Sequence, residues 1–345
     1  MKISVNASKS YDIIIENGVS AEVGRQLRKL ASPCKVLLVT DTNVDALYGG
    51  GVAKNLSESG FSVYRFLFKA GEESKKLSTV SDMLTCMAGY GFCRSDVIVA
   101  LGGGVVGDMA GFAASVYMRG IRYIQVPTTF LAAIDSSVGG KTGVDMKEGK
   151  NMIGSFWQPE VVLLDPDVIA GLPSPIFSQG VAEAIKYGMI KDRELFYMLD
   201  GEADLKEVIS RCVNIKKFVV EQDEYDRGIR QLLNFGHTFG HAIERLSDYR
   251  ITHGEAVATG MVMAAKAAVR MDFSSEEIVA PLKKCLQKYG LPCECEYSAS
   301  EIKSALFADK KRSGNATNFI LPRRIGECEG FIILDNNLDA FLGVK

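Results

Sequence analysis

The stretch LLNFGHTFGHAIERLSDYRITHGEAVATGM, residues 232–261, holds every histidine of the chain: His237, His241 and His253. Imidazole is the commonest metal ligand and the side chain that titrates nearest neutrality. Three in one window of a 345-residue chain point to a metal site or a proton-handling site. Arg230, Asn234, His237 and His241 follow one another at spacings of 4, 3 and 4, which on a continuous helix places all four on one face. That spacing normally carries an apolar core stripe. Here the stripe is polar and cationic, while Leu232, Leu233, Phe235 and Phe239 fall on other faces. A merely solvated face would be expected to carry lysine and glutamate. Lys216 joins the stripe only if the helix runs unbroken through Gly228.

His237 and His241 have the i, i+4 spacing of helix-borne zinc ligands. A carboxylate or a third histidine must then complete the shell. GVAEAIKYGMI, residues 180–190, supplies Glu183 and Lys186 one turn apart in an otherwise apolar helix. A buried ion pair between these two is the plain structural alternative. His253 opens a further helix, HGEAVATGM. Three protein ligands with a fourth position open make the catalytic zinc arrangement. Spacing leaves open which three of Glu183, His237, His241 and His253 bind a divalent cation.

A second candidate lies in VIVALGGGVVGDMAGF, where an apolar run enters Gly102, Gly103 and Gly104 and continues as a helix. The pattern G-x-G-x-x-G at 102, 104 and 107 lets a backbone approach a phosphate, and the helix N-terminus behind it offers free N–H groups. No carboxylate follows at the usual ribose spacing. Asp41, at the end of VLLVTD, is the alternative, and AGEESKK (70–76) follows another strand and could cap a bound cofactor.

The elements that must position these residues come in two styles. Residues 35–40, 61–68, 96–101 and 123–127 read as strands, with helical stretches such as VAKNLSESG and KKLSTVSDMLTCMAGYG between them. That alternation predicts a mainly parallel sheet covered by helices. From about Pro173 onward helix follows helix, with short strands only at TNFILP and GFIILD. The expected fold class is α/β: an N-terminal Rossmann-like parallel-sheet domain over 1–170, then a mostly α-helical C-terminal domain over 171–345. The cleft between them is the expected location of the site.

Composition restricts the function classes. Forty basic against 42 acidic residues leave a net charge of −2, which argues against nucleic acid or an anionic membrane as the main partner. No apolar run suits a signal peptide or a membrane span, so a cytoplasmic enzyme is expected. The eight cysteines are scattered, with no C-x-x-C, and read as reduced thiols.

The blocks GGGVVGDMAGFAASVYMRGI, QVPTTFLAAIDSSVGGKTGVD, GKNMIGSFWQP, AEAIKYG, LNFGHTFGHAIE, HGEAVATGM and DKKRSG, in this order over nearly the whole chain, resemble the 3-dehydroquinate synthase family of sugar-phosphate cyclases. The resemblance implies NAD and Zn2+ or Co2+ as cofactors and 3-deoxy-D-arabino-heptulosonate 7-phosphate as substrate. The reaction implied is transient oxidation, phosphate elimination, re-reduction and intramolecular aldol closure to 3-dehydroquinate. It implies Glu183, His237 and His253 as metal ligands, which moves His241 to the substrate phosphate. Lys141, Asn151, Asn234, His241 and Lys310 are implied to hold that phosphate, joined by Arg119 from a second subunit of a homodimer. Lys216 and Arg230 are implied for the substrate carboxylate, and Asp135 and Lys186 for the ring hydroxyls. NAD is implied to touch Asp41, Gly71, Glu72, Lys75, Gly103, Gly104, Asp108, Thr128, Thr129, Lys141 and Lys150. The chain departs from the family pattern at Gly171, Pro175 and Ile176, where Thr, Arg and Glu are usual, which touches cofactor contacts near 168–176. Asp226 stands where glutamate is common.

Overall fold

The computed structural model describes residues 1–307 and 315–343; Lys310 lies outside the described residues. The chain divides into two compact units, Met1–Pro173 with Lys216–Tyr225, and Ser174–Ile215 with Asp226–Lys345. Residues 216–225 therefore belong with the N-terminal unit, although they were expected in the helical one.

The first unit contains nine strands: β1 (Lys2–Asn6), β2 (Ser10–Ile15), β3 (Lys35–Asp41), β4 (Ser62–Phe68), β5 (Val97–Gly102), β6 (Arg122–Pro127), β7 (Lys141–Met146), β8 (Gly149–Phe156) and β9 (Val161–Leu164). Seven form one sheet in the order β1-β2-β9-β6-β5-β3-β4. Only the β1–β2 pair is antiparallel; the other pairings are parallel. β7 and β8 make a separate antiparallel hairpin. The parallel core follows from the near-continuous apolar runs, since strands covered on both faces have no polar side. Along β3 and β5, alternate residues enter opposite apolar layers. Leu37, Val39, Ile98 and Ala100 pack with Val106, Met109 and Ala110 of the helix Gly104–Val116, while Val36, Leu38, Val97, Val99 and Leu101 pack with Val52 and Leu56. At Gly107 of that helix, an added Cβ would stand 2.6 Å from Oε1 of Gln125 on β6. The third glycine of the loop therefore permits close helix–strand packing.

After β3 the chain steps outward to β4, then returns to place β5 on the other side of β3. In an open parallel sheet, the crevice beyond the carboxyl ends at such a reversal is the binding edge.

The second unit is mainly helical: Ser174–Ile190, Arg193–Asp200, His237–Leu246, His253–Arg270, Val279–Lys288 and Ala299–Phe307, with a hairpin of Ala316–Arg324 and Glu327–Leu334. The helix Ser174–Ile190 packs against His253–Arg270, which in turn packs against His237–Leu246. Every residue from Gly180 to Ile190 is buried, including Glu183 and Lys186. Among the described residues, no helix is long and apolar enough to cross a membrane. All eight cysteines are free thiols.

Candidate metal centre and nucleotide-binding edge

The expected single helix through Arg230, Asn234, His237 and His241 is not formed. Ile229–Asn234 is a 3-10 turn, and the α-helix starts at His237. The break falls at Gly236, whose φ of +80° is left-handed and interrupts any α-helix. Only His237 and His241 share the helix. Arg230 is buried on the 3-10 turn, and Asn234 is exposed at its end. Nor does one helix link Lys216 to Arg230, because Leu205–Gln222 ends well before the turn.

The same break aims the first ligand. The carbonyl of Phe235 lies 3.2 Å from Nδ1 of His237, so the ring presents Nε2 to the interior. His253 is the first residue of its helix, held by a capping box in which Thr252 N and Oγ1 donate to Glu255 Oε2 at 2.9 and 2.6 Å. At Gly254 an added Cβ would stand 2.5 Å from Cα of Gln179, one turn before Glu183. The missing side chain lets the two helices meet there.

Glu183, His237 and His253 converge, each offering one ligand atom within 4.8 Å of the others. Oε1 of Glu183 is 3.4 Å from His237 Nε2 and 3.5 Å from His253 Nε2. Ligand atoms of a tetrahedral site with bonds of about 2.1 Å stand roughly 3.4 Å apart, so this donor set fits a small divalent cation. Oε2 of Glu183 faces the Lys186 ammonium, which leaves Oε1 for the histidines. The buried pair named as the plain alternative is thus present and shares its carboxylate with the cluster. His241 lies one helical turn from His237, with ring centroids 5.6 Å apart, outside the three-residue cluster.

Burial pushes His237 down to about 3 in spite of Glu183, with Lys186, His253 and His241 adding repulsion, so its ring is neutral. Burial also acts to lower His253, but Glu183 and Glu244 outweigh it and hold it at about 9. A metal ligand must be deprotonated, so a cation entering here displaces the His253 proton.

Gly236→Ala tests the local design. An added Cβ would sit 2.6 Å from Met261 Cγ and 2.9 Å from the Val257 carbonyl, on a backbone that costs a β-carbon about 1–2 kcal/mol. The expected results are a lower melting temperature and weaker zinc retention, read by thermal denaturation and chelator competition.

In the first unit, the glycine loop joins β5 to its helix as expected, with Gly103, which has no side chain to cap the free amides, at the N-cap. Asp41 ends β3, the strand beside β5, and its Oδ1 accepts from the amides of Asn43 and Val44 at 2.9 and 3.1 Å. Thr128 and Thr129 follow β6, on the other side of β5. The Thr128 amide donates to the Gly102 carbonyl at 3.0 Å, and its buried Oγ1 has no hydrogen-bond partner among the described residues. Gly71, with φ of +118°, and Glu72 form an exposed turn after β4. The carboxyl ends of β3, β5 and β6 thus carry the residues considered for a nucleotide.

Lys75 is buried beside them, its Nζ 2.7 Å from Asp108 Oδ2 and 2.6 Å from Asn151 Oδ1. Burial acts to lower the ammonium, but Asp108 and Glu72 outweigh it and hold it above its ordinary value. Burial lifts the Asp108 carboxyl despite Lys75. Asn151 and Lys150 lie on β8, and Lys141 opens β7. That hairpin was missed in the sequence because GKTGVDMKEGKNMIGSF is polar and glycine-rich. Lys216 donates to the Asp135 carbonyl at 2.5 Å and to its Oδ1 at 2.7 Å. Arg119 is exposed at a corner where Met118 and Arg119 both adopt positive φ.

Comparison with known proteins agrees with both halves of this picture. A family model described as 3-dehydroquinate synthase N-terminal matches residues 65–179, and one described as 3-dehydroquinate synthase C-terminal matches 180–312. A 3-dehydroquinate synthase of Clostridium acetobutylicum is 44% identical over 92% of each chain. One of Streptococcus thermophilus is 43% identical over 95% of each. Among solved structures, 2-deoxy-scyllo-inosose synthase complexed with carbaglucose-6-phosphate, NAD+ and Co2+ superimposes with a TM-score of 0.89 at 27% identity, covering 99% of both chains. The 2-epi-5-epi-valiolone synthase of Streptomyces hygroscopicus, with NAD+ and Zn2+ bound, gives 0.88 at 27% identity over 99% of this chain and 98% of its own. With its glycine-loop sheet, its Glu-His-His cluster and this identity along nearly its full length, the chain belongs to the 3-dehydroquinate synthase family.

Proposed function

We propose that the chain converts 3-deoxy-D-arabino-heptulosonate 7-phosphate to 3-dehydroquinate and phosphate, as an NAD- and divalent-metal-dependent carbon–oxygen lyase. The observation that carries this reading is the convergence of Glu183, His237 and His253 in a chain 41–44% identical to curated synthases. When bound, NAD+ supplies a reversible hydride acceptor and the divalent cation a Lewis acid beside the substrate hydroxyls.

The remaining work falls to the chain's own residues, and it is chiefly orientation and charge neutralisation. Gly103, Gly104, Thr128 and Thr129 offer backbone and hydroxyl groups to the dinucleotide phosphates, and Asp41 offers a carboxylate to a ribose. Gly71, Glu72, Lys75, Asp108 and Lys150 complete the cofactor surroundings. Lys216, oriented by Asp135, and buried Arg230 supply the cations for the substrate carboxylate. Lys186 is held by Glu183 for a ring hydroxyl, a role shared with Asp135. Lys141, Asn151, Asn234, His241 and Lys310 bind the phosphate, with Arg119 contributed by a second copy in a homodimer. A place in the route to aromatic amino acids follows from the substrate, and a cytoplasmic location is part of the same reading.

The decisive experiment incubates the protein with that substrate, NAD+ and Zn2+, following phosphate and the carbocycle together. Equal amounts of phosphate and 3-dehydroquinate without net NADH are expected. A different carbocycle would assign another cyclase activity, and net NADH from a simple alcohol would assign a dehydrogenase. Arg230→Ala removes a charged hydrogen-bond donor worth about 1.5–3 kcal/mol, so KM is expected to rise roughly 10- to 100-fold. An unchanged KM and kcat would remove Arg230 from the site.

A further inference from the structure

Glu244 has no place in the reading above, yet it is one of the most deeply buried carboxylates of the second unit, 2% exposed on the helix His237–Leu246. Its Oε1 lies 3.3 Å from Nδ1 of His253. Burying a carboxylate costs several kcal/mol unless a partner repays it. Here a facing partner is the ring whose other nitrogen points at Glu183. One helix therefore carries a ligand at its first residue, His237, and at Glu244 the group that faces the second histidine.

We propose that Glu244 is a positioning residue of the metal centre. Its carboxylate accepts the Nδ1 proton of His253, which fixes the tautomer with Nε2 free, sets the ring plane and makes the imidazole a stronger donor. The proposal rests on the metal-binding reading of Glu183, His237 and His253. The two histidines are held differently. His237 has a neutral backbone carbonyl behind it, at Phe235. His253 stands at the first turn of its helix with its side chain 30% exposed, and has the Glu244 carboxylate behind it. The more exposed ring thus has the stronger support. Such outer partners typically set metal affinity by 10- to 100-fold when removed.

The test compares wild type, Glu244→Gln and Glu244→Ala, all stripped of metal and shown folded by near-ultraviolet circular dichroism. Zinc affinity is measured by chelator competition, and Co2+ is added separately as a spectroscopic probe. Zinc binding is expected to weaken roughly 10-fold in the glutamine variant and nearer 100-fold in the alanine variant. The Co2+ absorption bands should shift in both, because the ring is no longer locked. A merely structural Glu244 would lower the melting temperature of the metal-free variants yet leave zinc affinity and the Co2+ spectrum as in wild type, and that result overturns the proposal. Absence of zinc binding by wild type would instead overturn the metal reading beneath it. Nitrogen-15 NMR of zinc-loaded wild type gives a readout that needs no variant. Nδ1 of His253 is expected to carry the proton, and a deprotonated Nδ1 would refute the arrangement.

Discussion

Replacing His237 with alanine is expected to abolish metal retention and to lower turnover by about three orders of magnitude. A thousandfold loss corresponds to roughly 4 kcal/mol of transition-state stabilisation, within what a lost Lewis acid removes. The structural reason is that His237 is one of the three donors that meet at the cluster among the described residues, and its neutral ring is ready to bind without losing a proton. Elemental analysis after dialysis reads the metal, and phosphate release reads turnover. Thermal denaturation adds a control. A ligand that binds the folded state at a hundred times its Kd stabilises it by about 2.7 kcal/mol. Zinc should therefore raise the melting temperature of wild type and leave that of His237→Ala unchanged. A variant with full zinc content and wild-type turnover would remove His237 from the ligand set.

The second large effect is on stability. Lys75→Met deletes the buried ammonium that lies between Asp108 and Asn151 and leaves the half-buried Asp108 carboxylate without it. Breaking a buried pair from one side costs about 3–5 kcal/mol. For a unit of this size that lowers the melting temperature by on the order of 10 °C. The double variant Lys75→Met/Asp108→Asn removes the orphaned charge as well and is expected to recover much of the loss. NAD binding is expected to stay weak in both, since the proposed cofactor contact at Lys75 is gone. A single variant that melts like wild type would show that the pair contributes nothing to the fold. Recovery of NAD affinity in the double variant would place Lys75 outside the cofactor surroundings.

Much of the first unit was legible because its signals are local. Central strands β3, β5 and β6 are short, mainly apolar and almost wholly buried, and the glycine loop sits where strand gives way to helix. Less regular elements escaped. β7 and β8 are rich in glycine, lysine and other polar residues, and β7 is further tied by Asp145 to the distant backbone at Lys75 and Lys76, a contact no local pattern announces. In the second unit, the 4-3-4 spacing from Arg230 to His241 implied one helix. Periodicity cannot register that Gly236 turns left-handed, with its carbon against the helix His253–Arg270. The assignment of 216–225 to the first unit was equally hidden, because it depends on contacts such as Lys216 with Asp135 and Glu221 with the Asn6 amide at 2.7 Å.

By itself, the sequence determined the inventory and the neighbourhood. Every histidine falls in one window, a carboxylate and a lysine lie one turn apart in an apolar helix, and the order of matched blocks identifies the family. It also determined that His237 and His241 share a helix face, because that distance depends only on helical pitch. Which three donors meet was decided by tertiary structure. Glu183, His237 and His253 come from three different helices, and their separations depend on how closely those helices approach at Gly254 and Gly236. Helix pitch fixes distances within a turn or two, whereas the 3.4 and 3.5 Å gaps between residues far apart in the chain exist only once the core has packed.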